Sequence, residues 1–265
     1  MKLIINADDF GLTDGVNRGI LKGMQDGLLT DTSAIVCAPA FASGAELALQ
    51  NGVREMGLHC LATVGRPILP AGQVRSLVGE NGAFYSRDVF MSRDIDVSEL
   101  EAEMEAQIGV LLRSGLALSH LDTHHGFMYK TEAIKEMFVR LAHKYDVPLR
   151  NEQSRKTDEG PVNEELRRLG VRAVEKLYFN RGIPCHTVET VKAFLEEAQG
   201  RWDMVEIGCH PGYSDEELRN ISPLNDDREK ELAVFLDPSL RQYVEGRAIE
   251  RISYSQWNKT RNRAS

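Results

Sequence analysis

The sequence predicts an α/β fold: a single-domain, (β/α) barrel-like sheet, irregular, with about seven strands. Three observations predict it. Short β-branched apolar runs alternate with amphipathic segments of helical period, the order that gives parallel strands joined by right-handed crossovers. The 265 residues fit the usual span of a one-domain α/β barrel. Ionisable residues also stand at strand C-terminal ends all along the chain, where a barrel assembles its site. An open doubly wound sheet would gather them near one switch point.

The elements follow in order. Lys2 to Ala7 reads as a buried strand. Thr13 or Asp14 caps a helix running to about Asp26, with Val16, Ile20, Leu21 and Met24 as its apolar stripe. Ser33 to Val36 is a strand, Ala42 to Leu49 a short helix, and Met56 to Cys60 a strand. From Leu61 to about Asp96 glycines and prolines break the pattern, a long excursion of the functional kind. Val97 to Ser114 is the clearest helix, with Leu100, Met104, Ile108 and Leu111 on one face. Leu116 to Asp122 is a strand, Ala133 to Tyr145 a helix, and Val147 to Arg150 a strand. Residues 151–163 form a second polar excursion. Strands are expected at Leu177–Phe179, Met204–Cys209 and Ala248–Ser253, and helices at Val188–Gln199, Asp227–Leu236 and Ser239–Glu245. Residues 1–255 are read as the domain and 256–265 as a short basic tail carrying Lys259, Arg261 and Arg263.

Composition narrows the function. A net charge of −8 disfavours a nucleic-acid partner. No secretory signal and no membrane-spanning apolar run is visible, so a soluble, cytoplasmic protein is expected. Cys37, Cys60, Cys185 and Cys209 are scattered without CxxC spacing and read as free thiols.

Four strand ends carry the chemistry: Asp8-Asp9, His59, the run His120-Leu121-Asp122-Thr123-His124-His125, and Glu206 with His210. Adjacent carboxylates at a strand end repel unless a cation or a proton separates them. Taken alone, Asp8-Asp9 is equally a polar turn with Asp8 capping a helix. Five histidines converging on the same face point instead to a metal. If the strand continues that far, His120, Asp122 and His124 share one side. Imidazole with carboxylate suits zinc, iron, cobalt, nickel or manganese. Cys60 and Cys209 point away from the neighbouring histidines and read as small core residues. There is no GxSxG elbow and no Walker-type loop. From the residues alone, the chain reads as a metal-dependent hydrolase or lyase.

Asn6-Ala7-Asp8-Asp9-Phe10-Gly11, Gly57-Leu58-His59, the run 120–125 and Cys209-His210-Pro211 together resemble the YdjC-like carbohydrate deacetylases, a family that includes chito-oligosaccharide deacetylases. The resemblance runs from residue 1 to roughly 215. It implies a barrel-like fold and a divalent metal ion, Mg2+ or Zn2+, held by Asp9, His59 and His124. It implies Asp8 as general base, His210 as general acid, and Arg150, Asp122 and His125 as substrate-binding residues, with Arg150 placed near the substrate or the carboxylates. The reaction implied is removal of an acetyl group from an N-acetylated sugar by water activated at the ion. Where members often continue with further histidines, this chain has Gly126-Phe127-Met128. Both excursions are expected to contact the sugar, with Phe127 and Tyr129 available to stack on it or to pack the core. The expected partner is a small carbohydrate; a homodimer is open, since no segment marks an interface. The alternatives are a metal-dependent phosphoesterase or lyase on a sugar-like substrate, disfavoured by sparse basic residues beyond Arg66, Arg150 and Arg181, and a non-catalytic sugar-binding barrel.

Overall fold

A computed structural model describes residues 1–155, 164–179 and 186–260. Its strands are β1 (Lys2–Phe10), β2 (Asp31–Ala34), β3 (Glu55–Cys60), β4 (Ala117–Thr123), β5 (Lys176–Tyr178), β6 (Met204–Cys209) and β7 (Glu250–Arg251). The helices are α1 (Asp14–Asp26), α2 (Phe41–Gln50), α3 (Arg87–Ser92), α4 (Val97–Arg113), α5 (Glu132–Lys144), α6 (Glu164–Leu169), α7 (Val188–Ala198), α8 (Glu216–Ile221), α9 (Asp226–Leu236), α10 (Pro238–Glu245) and α11 (Tyr254–Lys259).

All strand pairs are parallel, in the order β4-β3-β2-β1-β6-β5, with β7 added to the start of β1. Every strand C-terminus therefore lies at one end. Leu149 bridges Leu121 of β4 on one side and Ala173, just before β5, on the other. Single bridges thus span the remaining gap, and the sheet is barrel-like and irregular. The strand expected at Val147–Arg150 shrinks to this one residue. Pro148 has no N–H to donate, so a regular ladder cannot form there. The strand expected at Ala248–Ser253 is likewise only two residues long.

Alternation along β1 sorts its two faces. Leu3, Ile5 and Ala7 join the large apolar core. Ile4 joins a smaller cluster with Val174, Leu177, Met204, Ile252, Tyr254 and Trp257. Tyr254 and Trp257 come from α11, so folded structure continues into the stretch read as a tail. Residues 261–265, with Arg261 and Arg263, lie outside the described residues, as do 156–163, Arg181 and Cys185.

The helices form where caps and stripes predict. Thr13 accepts from the Val16 N–H, so the cap of α1 is Thr13, with Asp14 in the first turn. Asp96 caps α4, which buries Leu100, Met104, Ile108 and Leu111. The excursion after β3 packs onto the main core, burying Val74, Leu77, Phe84 and Phe90 in it, and it contains α3. Cys60 and Cys209 are buried in the core as free thiols. Among the described residues, no helix is long and apolar enough to cross a membrane.

Close approach fixes one glycine. A Cβ on Gly57 of β3 would sit 2.2 Å from the His120 ring, and that ring is itself stacked on Tyr254 with centroids 3.9 Å apart. Gly57→Ala is expected to destabilise by about 1–3 kcal/mol through overpacking. A thermal melt should show this as a Tm lower by roughly 2–12 °C; an unchanged Tm would contradict the packing described.

Candidate metal centre and active site

Parallel register brings the predicted residues together. His59 pairs with Asp122 across β3 and β4, and Ala7 pairs with Cys209 across β1 and β6. The residues after those two, Asp8 and His210, are therefore neighbours. Asp8 and Asp9 are not in a polar turn: both lie inside β1, where the register with β2 shifts between Ala7 and Phe10. Asp9 takes up the irregularity with φ 72°. For a non-glycine residue this costs on the order of 1–3 kcal/mol and persists only where the surroundings enforce it.

Three donor atoms converge. Asp9 Oδ1 lies 3.4 Å from His59 Nε2 and 3.2 Å from His124 Nδ1. The two ring nitrogens are 3.2 Å apart. Donors each about 2.1 Å from one ion stand roughly 3.0–3.4 Å apart in octahedral or tetrahedral geometry. Asp9 Oδ1 is buried and, among the described residues, faces no donor other than those rings. Asp9, His59 and His124 thus have the spacing of a three-residue cation site.

The residues around the triad prepare its atoms. His59 Nδ1 lies 2.7 Å from Asp122 Oδ1, which holds a proton on Nδ1 and directs Nε2 at the triad, where a cation would displace the second ring proton. Burial pushes the His59 pKa down, but Asp122, Asp8 and Asp9 outweigh it and raise the value to about 9. Asp9 shows the converse. Burial favours its neutral form, yet Arg228, His124 and His210 hold it well below the usual carboxylate range. Arg228 Nη2 donates to Asp9 Oδ2 at 2.6 Å.

Arg150 organises a second layer. It donates to both oxygens of Asp8 at 2.7 Å, to Glu206 Oε1 at 2.9 Å from Nε, and lies 2.9 Å from Asp122 Oδ2. Ser33 donates to Asp122 Oδ2 at 2.8 Å, and Asn6 donates to Asp8 Oδ1 at 2.9 Å. Asp8, His59 and Asp122 form another close group, but the guanidinium already supplies its cation. Both oxygens of Asp8 and both of Asp122 are already engaged, whereas Asp9 Oδ1 has no hydrogen-bond partner among the described residues, so the Asp9 triad is the better site.

Two residues predicted to bind substrate are buried instead. Arg150 is 1% exposed and Asp122 0%, beneath the triad and engaged with the carboxylates and His59. His125, the third, has its ring centroid 3.9 Å from that of His124 and its Nδ1 2.9 Å from Thr63 Oγ1. It lines a cavity of about 790 Å³ with Arg87, Tyr129, Glu152 and Arg155. That cavity draws on both excursions. β4 ends at Thr123, so His124 reaches the triad from a 3-10 turn, with His125 at φ 63°; His120 and Asp122 stay below it in the strand. Phe127 is buried against Phe90 and Phe138, which removes it from stacking on a sugar.

His210 is anchored by its backbone N–H, which Glu231 Oε2 accepts at 2.6 Å. Its ring is lowered to about 4, chiefly by burial, with Asp9 and Asp8 pulling the other way. Arg228 and Glu231, one turn apart on α9, carry no signal of a site in the sequence. Glu231 is raised from 4.5 to about 7 by burial, against the His210 N–H and Arg228. Between those values the folded chain binds more protons at Glu231 than the unfolded chain, so this contribution to stability declines as pH rises. Glu231→Gln keeps an acceptor but cannot titrate. Its Tm relative to the unsubstituted protein should climb from pH 5 to 7; a constant difference would contradict the buried carboxyl.

Known proteins resemble the chain along nearly its whole length. A family model described as YdjC-like protein matches residues 2–246. The chain is 36% identical over 256 residues to a carbohydrate deacetylase of Vibrio cholerae serotype O1 (strain ATCC 39541), covering 96% of each. It is 33% identical to a carbohydrate deacetylase of Listeria monocytogenes serotype 4a (strain HCC23), covering 96% of this chain and 99% of that one. Among solved structures, an Enterococcus faecalis V583 protein, provisionally described as a cellobiose-phosphate cleavage protein, superposes with a TM-score of 0.88 at 31% identity. That match covers 97% of this chain and 98% of the other. A lactam utilization protein from Thermus thermophilus shares the fold at a TM-score of 0.54 and 17% identity, covering 96% of this chain and 100% of that one. On a family match over nearly its whole length, the chain belongs to the YdjC-like family.

Proposed function

We propose that this protein is a carbohydrate deacetylase that removes the acetyl group from an N-acetylated sugar or oligosaccharide with the help of a divalent ion, chito-oligosaccharides being the first substrates to try. The observation that carries the reading is the Asp9–His59–His124 triangle, with donor spacings of 3.2–3.4 Å. The relatives named carbohydrate deacetylase support the reaction class.

Asp9, His59 and His124 would hold the ion. When bound it would polarise the acetyl carbonyl and offset the charge that develops on its oxygen, an effect of several kcal/mol. The rest falls to the chain's own groups. Asp8 takes a proton from water as the water adds to the acetyl carbon; the C–N bond then breaks, and acetate and a free amine leave. Arg150 aims the Asp8 carboxylate through two charge-assisted hydrogen bonds. Asp122 aims His59. Both residues therefore act through others and not on the sugar. His210 returns a proton to the departing amine. A ring that burial keeps neutral at rest fits a relay for the proton taken by Asp8, more than an acid charged in advance. His125, with its ring centroid 3.9 Å from that of His124, stands beside the ion site, where the sugar would lie.

The test is acetate release from a panel of N-acetylated mono- and oligosaccharides, alongside phosphorylated disaccharides assayed for phosphate release. Acetate from at least one acetylated sugar supports the proposal. Phosphate release without acetate favours the phosphoesterase reading, and no acetate with any divalent ion sinks the deacetylase one.

A further inference from the structure

Arg228 lies 219 positions from Asp9 in the chain and touches the triad from outside. Two nitrogens of its guanidinium are held, and Nη1 is buried without a hydrogen-bond partner among the described residues. Nη2 donates to Asp9 Oδ2 at 2.6 Å and Nε to the Leu224 carbonyl at 3.0 Å. Its own carbonyl accepts from the Gly212 N–H at 3.2 Å, in the loop after His210. The side chain is 2% exposed. One turn on, Glu231 holds the His210 N–H. A single helix, α9, thus grips both the Asp9 carboxylate and the backbone of His210.

A carboxylate can give an ion one oxygen or two. Asp9 also sits in a backbone conformation, φ 72°, that its surroundings must enforce. A guanidinium clamped on Oδ2 settles both matters. It neutralises that oxygen with a short charge-assisted bond and stops the carboxylate from rotating. Oδ1 alone then faces His59 and His124. The guanidinium also repels a nearby cation, so its effect on affinity has two opposing parts, while its effect on coordination has one direction.

We propose that Arg228 is a positioning residue that makes Asp9 a one-oxygen ligand, keeping a coordination place open for water and the acetyl oxygen. The proposal rests on the ion site argued above. Two measurements test it. The first is a crystal structure of the unsubstituted protein soaked with Zn2+, which depends on no variant folding. One Asp9 oxygen on the ion, with Oδ2 still on Arg228, is expected; two Asp9 oxygens on the ion would overturn the proposal. No zinc at Asp9 would instead sink the ion site itself. The second is the visible spectrum of the Co2+-loaded protein, which reads coordination number. Arg228→Met, checked for folding by circular dichroism, is expected to weaken the d–d bands as Asp9 Oδ2 joins the ion. At saturating Co2+ it should lower kcat about 10–100-fold, the usual effect of removing such a partner. A folded Arg228→Met with unchanged bands and unchanged kcat would overturn the proposal.

Discussion

Asp9→Asn is expected to abolish divalent-ion binding and acetate release together. The ion's share of transition-state stabilisation is several kcal/mol, so the loss of rate is on the order of a thousandfold or more. The same substitution removes the negative partner of buried Arg228. Breaking a buried pair from one side costs about 3–5 kcal/mol, roughly a 6–20 °C fall in Tm. His124→Ala separates the two effects. It deletes a triad donor that is 18% exposed at its side chain and leaves Asp9 and Arg228 paired. Ion binding should be lost in both variants, and stability mainly in Asp9→Asn. Calorimetric titration with Zn2+ and a thermal melt check both. An Asp9→Asn protein that still binds the ion with native affinity would remove Asp9 from the site.

Asp8→Asn is expected to do the opposite: retain the ion and lose turnover. Asp8 is outside the triangle, its Oδ2 3.9 Å from His59 Nε2. Arg150 would keep Glu206 and Asp122 as partners, so the guanidinium is not left without a counter-charge. Removing a general base lowers kcat by about 100- to 10,000-fold. Full activity in Asp8→Asn, with the ion bound, would end the assignment of Asp8 as base.

The strand ends make much of this site legible from sequence. Asp8-Asp9, His59, His124 and His210 follow apolar runs, and parallel register then dictates that they meet. The details beyond that depend on tertiary contacts which local patterns do not encode. The resemblance leaves Arg150 near either the substrate or the carboxylates; its burial among three carboxylates on β1, β4 and β6 decides between them. Arg228 and Glu231 sit in the run Asp226 to Glu231, six consecutive charged residues, which reads as a solvated helix face. The docking of α9 against α1 and the loop at His210 buries them. The helix at Tyr254–Lys259 escapes a sequence reading for a similar reason: its polar residues resemble a tail, and its role lies in Tyr254, which donates to Glu206 at 2.5 Å. The left-handed turn of Asp9 likewise has no signal in a strand-like sequence.

The most direct measurement is acetate release by the protein stripped with a chelator and then titrated with Zn2+ or Mg2+, using N-acetylated chito-oligosaccharide as substrate. Activity should vanish on stripping and return in full at one equivalent of ion per chain, with no return in Asp9→Asn. Undiminished acetate release from the stripped protein would contradict an ion held by Asp9, His59 and His124 as part of the catalytic machinery.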